Sequence, residues 1–123
     1  MGSHKKAIYS GTFDPITNGH MDILIRALKV YDEVILGVAT SAAKKPMFNI
    51  QSRLNIIQEA TKEIEGVSAK AFDSLVVDFA KEENVYSIIR GLRTTTDFEY
   101  ELQMSYANHS LDKNIDTIFL MPA

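Results

Sequence analysis

The residues best suited to chemistry lie in three short segments. Ser10-Gly11-Thr12-Phe13-Asp14-Pro15-Ile16-Thr17-Asn18-Gly19-His20 combines two glycines, three hydroxyls and a histidine. Glycine lets the backbone approach a ligand closely. A helix opening at the end of this segment would offer free amides and the positive end of its dipole, which favours phosphate. Lys44-Lys45 and Arg90-Gly91-Leu92-Arg93 add four cations from distant parts of the chain. Gly91 would remove a side chain from between two fixed guanidinium groups.

Each of these signals also has a plainer reading. Gly11 and Gly19 suit a tight turn, and neither G-x-G-x-x-G nor G-x-x-x-x-G-K-[ST] is present. His20 is also what a helix-start histidine bonded to its own backbone looks like. Lys44 and Lys45 suit a solvated turn, and Arg90 and Arg93 suit ion pairs with Asp97 or Glu101. Asp14 reads as a turn-former before Pro15 rather than a base. His4, His20 and His109 lack zinc-ligand spacing, so no protein-bound metal is expected. Tyr86, Tyr100 and Tyr106 read as packing rather than a base-stacking platform. Against the plainer readings stands the shared position of the three segments after predicted strands.

The elements that must position them follow from hydrophobic periodicity, which alternates between short β-rich runs and longer helical stretches. Strands are expected over 6–9, 33–39, at Val67, Ala69 and Ala71, over 85–89 and over 116–121. A first helix follows Asn18, with Met21, Leu24, Ile25 and Leu28 as the stripe against the sheet. The second is capped by Asn49, buries Leu54, Ile57 and Ile64, and stops at Gly66. The third is capped by Asp73 and Ser74 and runs through Glu83. The fourth opens on the capping box Thr96-Asp97-Phe98-Glu99. This β-α-β-α-β-α-β-α-β order predicts an α/β fold with a five-stranded parallel sheet, right-handed crossovers and helices on both faces. Ligands of such sheets bind beyond the strand carboxyl ends, where the three segments fall.

Composition narrows the function classes. The 123 residues, 46% of them hydrophobic, suit one domain over 1–123 with a single core. Met1 to His4 carry no pattern and read as a tag remnant. No apolar run is long enough to span a membrane. The absence of cysteine excludes a disulfide framework and suits a reducing compartment, so a cytoplasmic protein with no membrane partner is expected. Thirteen basic against 16 acidic residues, net −3, argue against a broad nucleic-acid surface and for a small substrate.

Thr17-Asn18-Gly19-His20, preceded by Gly11-Thr12-Phe13-Asp14-Pro15, resembles the T/H-x-G-H nucleotidyltransferases, and within them the bacterial phosphopantetheine adenylyltransferase family. The likeness continues through Lys44-Lys45-Pro46-Met47-Phe48, Ile89-Arg90-Gly91-Leu92-Arg93, Asp97-Phe98-Glu99-Tyr100-Glu101 and Phe119-Leu120-Met121-Pro122. It implies a Rossmann-like nucleotidyltransferase fold. It further implies transfer of the adenylyl group from ATP to 4′-phosphopantetheine, giving dephospho-coenzyme A and pyrophosphate in coenzyme A synthesis.

By that resemblance Thr12, Phe13 and His20 face ATP, with His20 the catalytic residue on the α-phosphate. Gly91, Leu92 and Arg93 hold the adenosine end and Glu101 contacts the nucleotide. Thr12, Lys44, Val76 and Arg90 bind the pantetheine substrate. Magnesium is expected with the ATP phosphates, coenzyme A as a feedback ligand, and a homohexamer as the assembly. Such chemistry needs in-line positioning and charge stabilisation more than a strong base.

Family members continue past the fifth strand into a serine-rich segment that contacts the ATP phosphates, whereas this sequence stops at Ala123. Weaker ATP binding than in a longer relative is therefore expected. The alternatives are a relative acting on nicotinamide mononucleotide or using CTP, and a non-catalytic nucleotide-binding module.

Overall fold

The computed structural model describes residues 4–40, 45–92 and 95–121, the side chains of 95–97 excepted. Five strands alternate with four helices: β1 (Lys6–Gly11), α1 (Asn18–Ala27), β2 (Glu33–Ala39), α2 (Ile50–Thr61), β3 (Val67–Phe72), α3 (Val76–Glu83), β4 (Ser87–Gly91), α4 (Thr95–Leu111) and β5 (Asp116–Leu120). All pairings are parallel, in the order β3-β2-β1-β4-β5. The order reverses direction between β1 and β4, which makes that crevice the switch point of the sheet.

Strand alternation divides the core in two. Ala7, Tyr9, Val34, Leu36, Val38 and Ile89 pack with Ile23, Leu24 and Ala27 of α1 and Ile57 of α2. The intervening Ile8, Ile35 and Ile88 pack with Val77, Phe79 and Ala80 of α3. The sheet is therefore covered on both faces, as its β-branched strands require. Among the described residues no helix is long and apolar enough to cross a membrane.

Local details depart from the sequence expectations. α1 turns Ile23, Leu24 and Ala27 inward and leaves Ile25 48% exposed, so the buried stripe is rotated from the one the spacing suggests. α2 ends at Thr61, leaving Ile64 outside the helix. Gly66 instead makes the turn into β3 at φ 82°, where a Cβ would come within 2.6 Å of the Asp32 carbonyl oxygen. Leu75, with no side-chain hydrogen bond, is the N-cap of α3 in place of Asp73 or Ser74. β4 starts at Ser87 because Asn84, left-handed at φ 56°, first closes α3, the Val85 N–H donating to the Ala80 carbonyl. Arg90 and Gly91 consequently belong to the strand and not to the loop after it. The helix α4 already includes Thr95, and the side chains of its expected capping box at Thr96 and Asp97 lie outside the described residues. Tyr86, Tyr100 and Tyr106 are 40%, 61% and 66% exposed and do not pack in the core; for the latter two the reason is that the apolar residues of α4 are spread around the helix.

Candidate active site

The β1–α1 connection builds one wall of the site. After Gly11 the chain passes through Phe13 at φ 45° and a cis Asp14–Pro15 bond before Thr17 caps α1. A left-handed φ on a bulky residue costs about 1 to 2 kcal/mol. Packing offsets it: the Phe13 ring, 1% exposed, meets Tyr9 and His20 edge-on at centroid distances of 5.2 and 4.9 Å.

Thr17 and His20 close a reciprocal capping box. The His20 N–H donates to Thr17 Oγ1 at 3.3 Å, and the Thr17 N–H donates to His20 Nδ1 at 2.9 Å. Because Nδ1 accepts, a neutral imidazole must carry its proton on Nε2, which makes Nε2 a donor. The helix-start role of His20 and a ligand-facing role are thus compatible in one side chain.

The opposite wall comes from β4 and α4. Arg90 donates from Nε and Nη2 to the two carboxylate oxygens of Glu101, each at 2.7 Å, and from Nη1 to the carbonyl of Ser10 on β1. Burial works against the Arg90 charge, but the hydrogen bonds and charge of Glu101 outweigh it, and the guanidinium pKa lies above its ordinary value. The ion pair that was the plainer reading of Arg90 is therefore present within the site itself.

Two cavities open at the carboxyl ends of β1 and β4. One, of about 220 Å³, is lined by Thr12, Phe13, Thr17, Gly19, His20 and Gly91 among others. The second, of about 360 Å³, is lined by Phe72, Leu75, Val76, Tyr100, Met104 and Asn108 among others and is the more apolar. Ser10, Gly11, Thr12, Arg90 and Glu101 line both. The arrangement suits a ligand with an anionic portion beside the start of α1 and a longer, less polar portion in the second cavity.

The structure thus brings Thr12, Phe13, His20, Arg90, Gly91 and Glu101 to one cavity and Val76 to the adjoining one. Leu92 is buried at 7% exposure and lines neither; its N–H continues the sheet to the Leu120 carbonyl. Lys44 and Arg93 lie outside the described residues. Lys45 is exposed and lines neither cavity, so of the four cations expected to converge, Arg90 is the one the described residues place there. The missing Cβ of Gly91 matters for a different neighbour than expected, because it would sit 2.3 Å from Cδ1 of Ile23 on α1.

The model of the cytidylyltransferase-like family matches residues 8–123. A phosphopantetheine adenylyltransferase of Nautilia profundicola is 54% identical over 119 residues, covering 97% of this chain and 77% of the relative. The chain belongs to the phosphopantetheine adenylyltransferase family. Another phosphopantetheine adenylyltransferase, from Campylobacter hominis, is 54% identical over 115 residues, covering 94% of this chain and 72% of the relative. Among solved structures, a lipopolysaccharide core biosynthesis protein of Thermoplasma volcanium superposes with a TM-score of 0.68 at 21% identity, covering 97% of this chain and 96% of its own. The nicotinic acid mononucleotide adenylyltransferase of Plasmodium falciparum, solved with NaAD, gives 0.63 at 17% identity, covering 96% and 75%. At these identities the two structures share the fold.

Two features of this phosphopantetheine adenylyltransferase family member carry no sequence signal. Asp14 is more than a turn-former: its carboxylate accepts from the N–H groups of Met47 and Phe48 at 2.6 and 2.8 Å. Arg53, on α2, is only 2% exposed and donates to the carbonyls of Thr12 and Ala39. A helical arginine ordinarily marks a solvated face, and the expected core position was the next residue, Leu54.

Proposed function

We propose that this chain transfers the adenylyl group of ATP to 4′-phosphopantetheine. A phosphate oxygen of phosphopantetheine attacks the α-phosphorus of ATP, the bond from that phosphorus to the bridging oxygen breaks, and pyrophosphate leaves with the electron pair. Family membership supports the reaction. The observation that supports its placement is the pair of cavities at the β1/β4 switch point that share five lining residues, with His20 in one and Val76 in the other.

In this reading the triphosphate lies against the start of α1, where the free amides and the Nε2–H of His20 meet charge developing on the α-phosphate. Thr12 and Arg90, which border both cavities, hold the two phosphates that react. Gly91 lines the adenosine end, Glu101 contacts the nucleotide and Val76 lines the pantetheine arm, with Phe13, Leu92, Lys44 and Arg93 in the roles the resemblance gives them. No side chain need act as a covalent nucleophile.

Among the described residues no three His, Cys, Asp or Glu groups are grouped to hold a metal, and Glu101 is already engaged by Arg90. These residues do not form a magnesium cage. We therefore treat magnesium as part of the substrate, entering as its complex with ATP. Coenzyme A, which contains both the adenylyl and pantetheine portions, would occupy the same two cavities as a feedback ligand. A cytoplasmic homohexamer completes the proposal; exposed Phe98 and Tyr106 on α4, which line neither cavity, are apolar surface that assembly would cover.

The test is pyrophosphate release from magnesium ATP with and without 4′-phosphopantetheine, for the chain and for His20→Ala. Release that requires phosphopantetheine and disappears with His20 supports the reading. ATP binding without turnover would mean a nucleotide-binding module instead.

A further inference from the structure

The ladder between β1 and β2 ends at the Gly11↔Val38 pair. One residue further on, the carbonyls of Thr12 and Ala39 would point into the widening gap between the strands. Arg53 fills that gap from α2: its Nη1 donates to Thr12 O at 3.0 Å and to Ala39 O at 3.3 Å. Its Nε has no hydrogen-bond partner among the described residues. A buried guanidinium satisfied by neutral carbonyls is a poor way to stabilise a core, because burying a charge is expensive unless it is fully paired. Its position is informative, since Thr12 borders both cavities.

A second tie crosses the same gap. The Asp14 carboxylate takes the consecutive N–H groups of Met47 and Phe48, immediately before Asn49 caps α2 through the N–H of Ser52. Thr12 and Asp14 flank Phe13, the residue held at φ 45°. The strained turn is therefore gripped on both sides from the β2–α2 region, once by a cation on a carbonyl and once by an anion on two amides.

We infer that Arg53 and Asp14 are positioning residues that lock the Thr12–Phe13–Asp14 turn to the start of α2, and so set the placement of Thr12 and His20 for adenylyl transfer. Neither side chain lines either cavity, so both act through the turn. The inference rests on the proposed reaction for its consequence but not for its geometry. Displacing a turn that carries transition-state contacts lowers kcat more than it raises KM.

Two measurements test it. Amide hydrogen exchange on the free protein reads the lock: in Asp14→Asn, Met47 and Phe48 should exchange at least tenfold faster, while Val34 and Ile89 in the central strands keep their rates. Steady-state pyrophosphate release reads its consequence. Arg53→Lys keeps the charge but has a single nitrogen on a more flexible stem. It should lower kcat at least tenfold with KM for ATP changed less than threefold, and Arg53→Met should lower kcat further while remaining folded by circular dichroism. Unchanged exchange at Met47 and Phe48 overturns the lock. Faster exchange with kcat kept within twofold in both folded Arg53 variants overturns the positioning role and leaves a structural tie only. Absence of turnover in the unsubstituted chain would count against adenylyl transfer and against any positioning for it, with the lock still judged by exchange alone.

Discussion

Arg90 and Glu101 meet as a two-pronged pair, Nε to Oε1 and Nη2 to Oε2 at 2.7 Å each, on the rim shared by the two cavities. Glu101 is 8% exposed. Glu101→Gln keeps the shape but removes the charge and one acceptor oxygen, and should lower unfolding free energy by about 2 kcal/mol in urea titration. The Arg90 pKa is raised, so any stability from this pair is complete below the ordinary arginine range and is lost only as pH climbs through the still higher folded value. The difference between Glu101→Gln and the unsubstituted chain should accordingly be flat between about pH 6 and 9; a slope there would mean another group titrates with the pair.

The Thr17–His20 box couples folding of α1 to the orientation of the imidazole. Thr17→Ala should lose about 1 kcal/mol of stability as a missing cap and also slow turnover, because the ring is no longer fixed by the cap. Thr17→Ser, which can still cap, should recover most of both. His20→Ala should lower kcat by about 10² to 10³ with a stability change of no more than about 1 kcal/mol. Urea titration combined with pyrophosphate release separates the two effects.

Gly91 and Ile23 compete for one space. Gly91→Ala should destabilise by about 1 to 3 kcal/mol as an overpacked contact, since its Cβ would press on Cδ1 of Ile23. Ile23→Val shortens that side chain and should cost about 1 kcal/mol alone. The double variant should be more stable than the sum of the singles allows, by at least about 0.5 kcal/mol. Additive losses would show that the two residues do not compete.

With magnesium entering on the nucleotide, EDTA should abolish turnover and added magnesium should restore it. The melting temperature of the free chain should be the same with EDTA and with magnesium. A rise with magnesium alone would point to a site on the protein.

How legible these features were in the sequence differs from element to element. β2 coincides with its predicted bounds because Val34 to Val38 is an uninterrupted apolar run, three of its five residues β-branched, with no competing period. The β1–α1 connection is only partly legible: glycine and proline mark it, but β1 runs on to Gly11 beyond the expected end at Tyr9, and Thr17, which the spacing does not single out, caps an α1 that opens at Asn18. β4 was displaced by two residues because Val85 looks like strand but serves to close α3 behind a left-handed Asn84. The spacing extends α2 too far because Ile64 keeps helical spacing with Ile57, although the helix has already ended at Thr61. Arg53 and Asp14 were illegible as ties, because their partners are carbonyl and amide groups, which every residue carries and no letter of the sequence reports.

β1 keeps register with β2 over six pairs but with β4 over only two, Ile8↔Ile88 and Tyr9↔Ile89. The backbone stitching is thus shortest along the seam under the two cavities. Thr12 and His20 belong to the β3-β2-β1 leaf, and Arg90, Gly91 and Glu101 to the β4-β5 leaf with its helix. A molecule held by both sets of residues spans the joint with the fewest ladder bonds, so it ties the two halves of the sheet together where the polypeptide itself does so least.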